Sequence, residues 1–150
     1  MDKLRRILLV EDDPRDIELI MNAFTDCSLA NEMAIAHDGV EALDYLYRRG
    51  VSARREEGNP AVIMLDLKLP RVDGLEVLRT LKSDEKLRCI PVVVMTSSHE
   101  SSDLKECYQL GVNAYVVKPL KIKEFVEAIQ KIGMFWALIN EPPSGCLLKR

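Results

Sequence analysis

Only two histidines, His37 and His99, occur in the 150 residues, and the cysteines form no C-x-x-C pair. The ligand spacings of a zinc site are therefore missing. Cys27, Cys89, Cys107 and Cys146 are scattered and read as small buried apolar residues in a reducing compartment. No apolar run approaches the ~18 residues of a membrane span. The start, Met1-Asp2-Lys3-Leu4-Arg5-Arg6, enters a short strand-like run without the apolar stretch of a signal peptide. The expectation is a cytoplasmic protein without a membrane partner. There is no positive excess either: 21 Lys and Arg face 24 Asp and Glu, a net charge of −3. That balance argues against a nucleic-acid backbone as partner. Repeats and low-complexity segments are absent.

What is present is alternation. Ile7 to Val10, Met33 to Ala36, Ala61 to Leu65, Pro91 to Met95 and Ala114 to Val117 are short apolar runs and read as five strands. Between and after them, Ile17/Ile20/Met21/Phe24, Val40/Leu43/Tyr47, Val77/Leu78/Leu81, Leu104/Cys107/Tyr108 and Ile122/Phe125/Val126/Ile129 recur at helical spacing, giving five amphipathic helices. Nearly continuous apolar strands alternating with helices imply a parallel sheet covered on both faces, because right-handed crossovers lay helices over the sheet. The expected architecture is an α/β, (βα)5 doubly wound five-stranded sheet. Asp13-Pro14 suits a helix start, Gly111 a helix end, and Asp38-Gly39 and Asp73-Gly74 suit turns. The charged, glycine-containing segment Arg48 to Pro60 exceeds a typical αβ loop and is expected to be exposed and mobile, with Arg48, Arg49, Arg54 and Arg55 solvated.

In such a sheet, ligands bind beyond the carboxyl ends of the strands. The residues there are Glu11-Asp12-Asp13, Asp66, Thr96-Ser97-Ser98 and Lys118-Pro119. Carboxylates brought together raise one another's pKa unless a cation compensates. Mg²⁺ suits an oxygen-rich site that leaves room for water, Lys118 adds a second positive charge, and Thr96 adds a hydroxyl. This is an inventory for phosphoryl transfer, in which an Asp carboxylate can be the nucleophile. Asp13, next to Pro14, is read as a helix cap rather than a ligand.

The pieces "ILLVEDDP", "VIMLDLKLPRVDG", "PVVVMTSS" and "GVNAYVVKPL" stand in this order. Together they resemble the receiver domain of two-component response regulators, over residues 4–133. The resemblance implies a flavodoxin-like fold with Asp66 as phosphoacceptor. It also implies Mg²⁺, replaceable by Mn²⁺, held by Glu11, Asp12, Asp66 and the backbone carbonyl of Lys68. Lys118 and Thr96 would bind the phosphoryl group, Thr96 and Tyr115 would form the conformational switch, and Pro119 would follow a cis peptide bond. Glu stands at the first acidic position where the family usually has Asp; its longer side chain suits ligation through water, leaving direct coordination to Asp12.

Residues 134–150 form an apolar extension carrying Phe135 and Trp136 and closing on Pro142-Pro143. It either folds back on its own domain or packs against a second subunit, with a homodimer preferred. The long loop and the Phe-Trp tail resemble single-domain response regulators paired with bacterial phytochrome histidine kinases. The implied partners are a sensor histidine kinase and a downstream protein or phosphotransfer partner, because the residues after the receiver cannot hold an output domain. The protein would catalyse only its own phosphorylation and dephosphorylation. A metal-dependent aspartyl-phosphate phosphatase would want a second Asp where Lys68 stands, and a flavin carrier would not place "EDDP" against a phosphate. A degenerate receiver acting as an interaction module is the nearest rival. His37 and His99, in loop or turn positions with no acidic partner at ligand spacing, are read as incidental.

Overall fold

The computed structural model describes residues 6–30, 33–56, 58–98, 100–118, 121–143 and 146. Strands β1 (Ile7–Val10), β2 (Met33–Ala36), β3 (Val62–Leu65), β4 (Val92–Thr96) and β5 (Ala114–Val117) form one sheet in the order β2-β1-β3-β4-β5. Every neighbouring pair is parallel. Helices α1 (Pro14–Asp26), α2 (Gly39–Tyr47), α3 (Gly74–Ser83), α4 (Ser101–Gln109) and α5 (Ile122–Met134) complete the expected (βα)5 unit. The chain turns from β1 to β2 on one side and continues with β3 on the other, so the strand order reverses between β1 and β3. A crevice opens there at the carboxyl ends.

Alternation along each strand divides the core in two. Leu8, Val10, Ile63, Leu65, Val92 and Val94 face Ala42, Leu46, Val77, Leu78 and Cys107 of α2, α3 and α4. Ile7, Leu9, Val62, Met64, Val93 and Met95 face Ile20, Phe24, Phe125 and Ile129 of α1 and α5. Burying one such aliphatic or aromatic side chain is worth roughly 1.5–3 kcal/mol, so these two layers carry the stability on which the polar rim depends. At Gly133 a side-chain methyl would strike the Phe24 ring, which is how closely α5 lies on α1.

Several expectations need correction. The buried stripe of α2 is Ala42, Tyr45 and Leu46, with Tyr47 exposed; on α4 only Cys107 is buried, while Leu104 and Tyr108 are exposed. Asp38 and Asp73 make helix caps rather than turns. Their carboxylates accept from the N–H groups of Glu41 (2.8 Å) and Glu76 (2.9 Å), the bonds that orphan donors of a first helical turn require. The segment after α2 is not a bare solvated loop. The Arg55 guanidinium donates to the carbonyls of Tyr45 (2.6 Å), Glu56 (2.6 Å) and Gly58 (2.9 Å) and lies 4.2 Å from the centre of the Tyr45 ring. A 3-10 turn, Gly50–Ser52, lies near its start. His37 does have an acidic partner: Nδ1 lies 3.3 Å from Glu41. His99 and Pro119, with its expected cis bond, lie outside the described residues.

The reading of four independent thiols fails for two of them. Cys89, just before β4, and Cys146 form a disulfide across 57 residues of sequence, with their Cα atoms 6.2 Å apart. Cys146 is buried in the α2–α4 layer, where partly buried Cys89 also packs. Only the folded tail brings them together, so spacing alone held no sign of the bond, and the expected reducing compartment loses the support of four free thiols. Closing a loop of this length removes enough denatured-state entropy that Cys146→Ser should cost about 2–4 kcal/mol in urea unfolding. Alkylation of the denatured, unreduced chain should label only Cys27 and Cys107. Labelling of all four cysteines, or an unchanged urea midpoint, would contradict the bond.

Candidate functional site

Backbone hydrogen bonds bring the sheet's carboxyl ends to one level. Asp66 N–H donates to the Val10 carbonyl (3.1 Å), Glu11 N–H to Ala36 (3.0 Å) and Lys118 N–H to Thr96 (2.8 Å). Glu11, Asp66 and Lys118 consequently meet at the crevice, with Thr96 tied to Lys118 through the backbone. The Lys118 ammonium donates to Glu11 Oε2 (2.8 Å), Asp66 Oδ2 (3.1 Å) and Asp16 Oδ2 (2.8 Å). Asp16, in the first turn of α1, was absent from the expected set. The only sequence signal was its place near the start of a helix rooted at the same rim, where an acidic residue is usually explained by the helix dipole.

Glu11 is almost wholly buried, Asp66 is buried and Asp12 is exposed. Each offers a carboxylate oxygen within 4.8 Å of the others. Three convergent hard oxygen donors with one side open fit a divalent cation of the Mg²⁺ or Mn²⁺ class. Asp13 stands apart as the α1 cap, accepting from Arg15 N–H at 2.9 Å, with Pro14 following it.

Electrostatics record the crowding. Burial raises the Glu11 pKa, its hydrogen bond from Lys118 opposes this, and the nearby Asp66 charge adds to it, leaving the carboxyl at about 7. For Lys118, burial disfavours the charge, but the hydrogen bonds to Asp16 and Glu11 prevail and lift its pKa above the ordinary lysine value.

Around this centre the β3–α3 connection is tightly seated. A methyl at Gly74 would collide with the Asp66 carbonyl and Leu67 Cα, so α3 starts directly against the Asp66 backbone. Lys68 N–H donates to Asp66 Oδ1 (3.2 Å), and Arg71 reaches Asp38 at 3.1 Å. On β4, Thr96 is fully buried and its hydroxyl oxygen accepts from Ser98 N–H (3.2 Å). The Tyr115 hydroxyl donates to the Ser98 carbonyl (3.2 Å), and Ser98 Oγ to Asp103 on α4 (2.7 Å). Ser98, which the sequence offered only as a residue after Thr96, joins Thr96, Tyr115 and α4.

Phe135 and Trp136 lie away from this rim. They sit in a π-helical turn, Phe135–Ile139, that extends α5, with their rings edge to face 4.9 Å apart. Ala137 is buried against the α1/α5 layer, and Trp136 packs there too. Phe135, Leu138 and Ile139 are 44%, 49% and 69% exposed. One side of the tail thus folds back and the other faces outward.

Comparison with known proteins gives this geometry its family. Residues 7–130 match the response regulator receiver domain. The chain belongs to this family. The response regulator Rcp1 of Synechocystis sp. (strain ATCC 27184 / PCC 6803 / Kazusa) is 38% identical over 130 residues, 87% of each chain. Its Mn²⁺-bound structure superposes with a TM-score of 0.85 at 36% identity, covering 93% of this chain and 99% of that one. The phosphorylated cyanobacterial phytochrome response regulator RcpA gives 0.86 at 37% identity, covering 95% and 100%. The bacteriophytochrome response regulator RtBRR is 58% identical, with a TM-score of 0.75 and coverage of 96% and 87%. The receiver described here is accordingly related to phytochrome response regulators. Among its described residues no helix is long and apolar enough to cross a membrane.

The raised Glu11 pKa has a measurable consequence. Well below pH 4.5, the ordinary carboxyl value, Glu11 is protonated in both folded and unfolded chains. As pH rises towards 7 the unfolded chain has released a proton that the folded one retains, so stability falls, and above 7 the whole cost is present. In metal-free protein, Glu11→Gln should therefore raise stability by about 1–2 kcal/mol near pH 8 and by much less near pH 5. Urea midpoints at both pH values check this; a lower midpoint for the variant near pH 8 would contradict it.

Proposed function

We propose that the protein is a phosphotransfer signalling receiver whose Asp66 accepts a phosphoryl group from a phosphohistidine of a sensor kinase. The observation that carries the reading is Lys118 bound to both Asp66 and Glu11 inside the β1/β3 crevice. An Asp66 oxygen attacks phosphorus as the P–N bond breaks, and the departing electron pair stays on the imidazole nitrogen. Seated against Gly74 and the β1 end, Asp66 offers its oxygen with little freedom left to lose, which favours in-line attack. Lys118 neutralises charge on the transferring oxygens. Glu11, Asp12, Asp66 and the Lys68 carbonyl would hold Mg²⁺, or Mn²⁺ as in Rcp1. When bound, such a cation supplies further electrostatic stabilisation to the same oxygens.

The aspartyl phosphate adds about 1.5–2 negative charges, by analogy with other phosphorylations. Thr96, by donating its O–H to a phosphoryl oxygen, would move the atom that receives Ser98 N–H. Tyr115 holds the other side of the same peptide residue, so the two switch residues are mechanically linked through Ser98. Phosphorylation then favours one of two arrangements of the β4–α4 segment and of the surface around α4, β5 and α5. RtBRR and RcpA support a phytochrome-type kinase as partner. Output passes through protein contacts, and the exposed side of the tail supports a homodimer.

Incubation with acetyl phosphate and Mg²⁺ should add one phosphate by intact mass to the native chain and none to Asp66→Asn. Uptake by that variant, or none by the native protein with metal present, would refute the assignment. For the dimer, Leu138→Asp with Ile139→Asp should halve the mass seen by light scattering. An unchanged mass would count against the tail as the interface.

A further inference from the structure

We propose that Asp16 is a positioning residue that competes with the phosphoryl group for Lys118, slowing phosphorylation of Asp66. The inference rests on Asp66 being the phosphoacceptor.

An ammonium group has three N–H donors and no acceptor. All three of Lys118's are directed at carboxylates, Glu11 and Asp16 at 2.8 Å and Asp66 at 3.1 Å. A phosphoryl oxygen arriving beside Asp66 can receive a Lys118 bond only if one of these is released or shared. The three are not equally replaceable. Glu11 and Asp66 are buried at strand ends, and both belong to the acidic trio suited to a cation. Asp16 lies outside that trio, on a helix rather than a strand end, with 30% of its side chain exposed. Water can take over its carboxylate when Lys118 leaves, which makes it the least costly of the three partners to lose.

Position reinforces this. Asp16 stands on the α1 side of Lys118, beside a cavity of about 130 Å³ lined by Asp16, Leu19, Lys118, Ile122 and Phe125. Asp66 stands on the β3 side, so the pull of Asp16 draws the ammonium away from the acceptor. The bond to Asp16 is charge-assisted, of the kind roughly twice as strong as a neutral one. A competitor of that strength sets a threshold that each phosphoryl group must overcome to engage Lys118.

The test is the rate of phosphorylation by acetyl phosphate with Mg²⁺, followed by intact mass. Asp16→Asn should react roughly 3–10-fold faster than the native protein, the factor expected when one competing charged partner is weakened. Asp16→Glu, which keeps the charge, should stay near the native rate. In a Lys118→Ala background, Asp16→Asn should give no acceleration, because the effect runs through Lys118. A purely structural role would slow the Asn variant and lower its urea midpoint, and its effect would survive loss of Lys118. Native protein phosphorylated at Asp66 with no faster Asp16→Asn variant would overturn this inference alone. So would an acceleration that persists without Lys118. Native protein that takes up no phosphate would overturn the Asp66 reading and this inference together.

Discussion

One half-buried ammonium group holds the polar end of this molecule together. Lys118, delivered by β5, spans 107, 102 and 52 residues of sequence to reach Glu11, Asp16 and Asp66. Within this set a single positive charge faces three negative ones. Burial makes each charge costly and each pairing strong, so the same desolvation that raises Glu11 to about 7 makes the hydrogen bonds that raise Lys118 effective. Such a centre is held in place by its surroundings, since its own charges do not balance. It therefore gains from any further cation and responds to any further anion.

The surroundings do that holding in a particular way. The two apolar layers lie on the faces of the sheet, while the charged groups lie beyond the strand ends. The like-charge repulsion is thereby kept out of the core. Backbone bonds between neighbouring strand ends fix Glu11 and Asp66 at one height, and the close approach of Gly74 prevents the Asp66 peptide from backing away. On the other side Ser98 has all three of its polar groups engaged, by Thr96, Tyr115 and Asp103. A rim rigid around Asp66 and jointed at Ser98 can register a new charge at the first place as a movement at the second.

Much of this could be read from the residues, and the reasons for success and failure are physical. Apolar runs too short for helices, alternating with helical periods, specify a parallel sheet, and strand ends then specify where Glu11, Asp66, Thr96 and Lys118 gather. Stripes were less legible. On α2 the fully buried residues are Ala42, Tyr45 and Leu46, while of the expected Val40/Leu43/Tyr47 face Leu43 packs partly against the core; Tyr45 is also covered by Arg55, from a loop whose path no periodicity announces. Asp-Gly pairs have the same chemistry in turns and in helix caps, and only the following helices at Asp38 and Asp73 decide between them. Asp16 was hidden by its ordinary setting, and the Cys89–Cys146 bond by its sequence separation.

The tail's position has a consequence for how the two ends of the molecule are used. In a parallel sheet every carboxyl end lies on one side, so Cys89, ahead of β4, lies on the other. The C-terminal end of α5, running back along the sheet, lies there as well. Ala137 enters the α1/α5 layer while Cys146 enters the α2–α4 layer, so the extension contacts both layers far from Asp66. A second subunit on the exposed Phe135, Leu138 and Ile139 side would leave the Lys118 crevice open. A kinase at the rim and a second copy at the tail would not compete for surface. Helix α1 offers one route between them, since its inner face packs in the layer that Ala137 and Trp136 enter and its Asp16 holds Lys118.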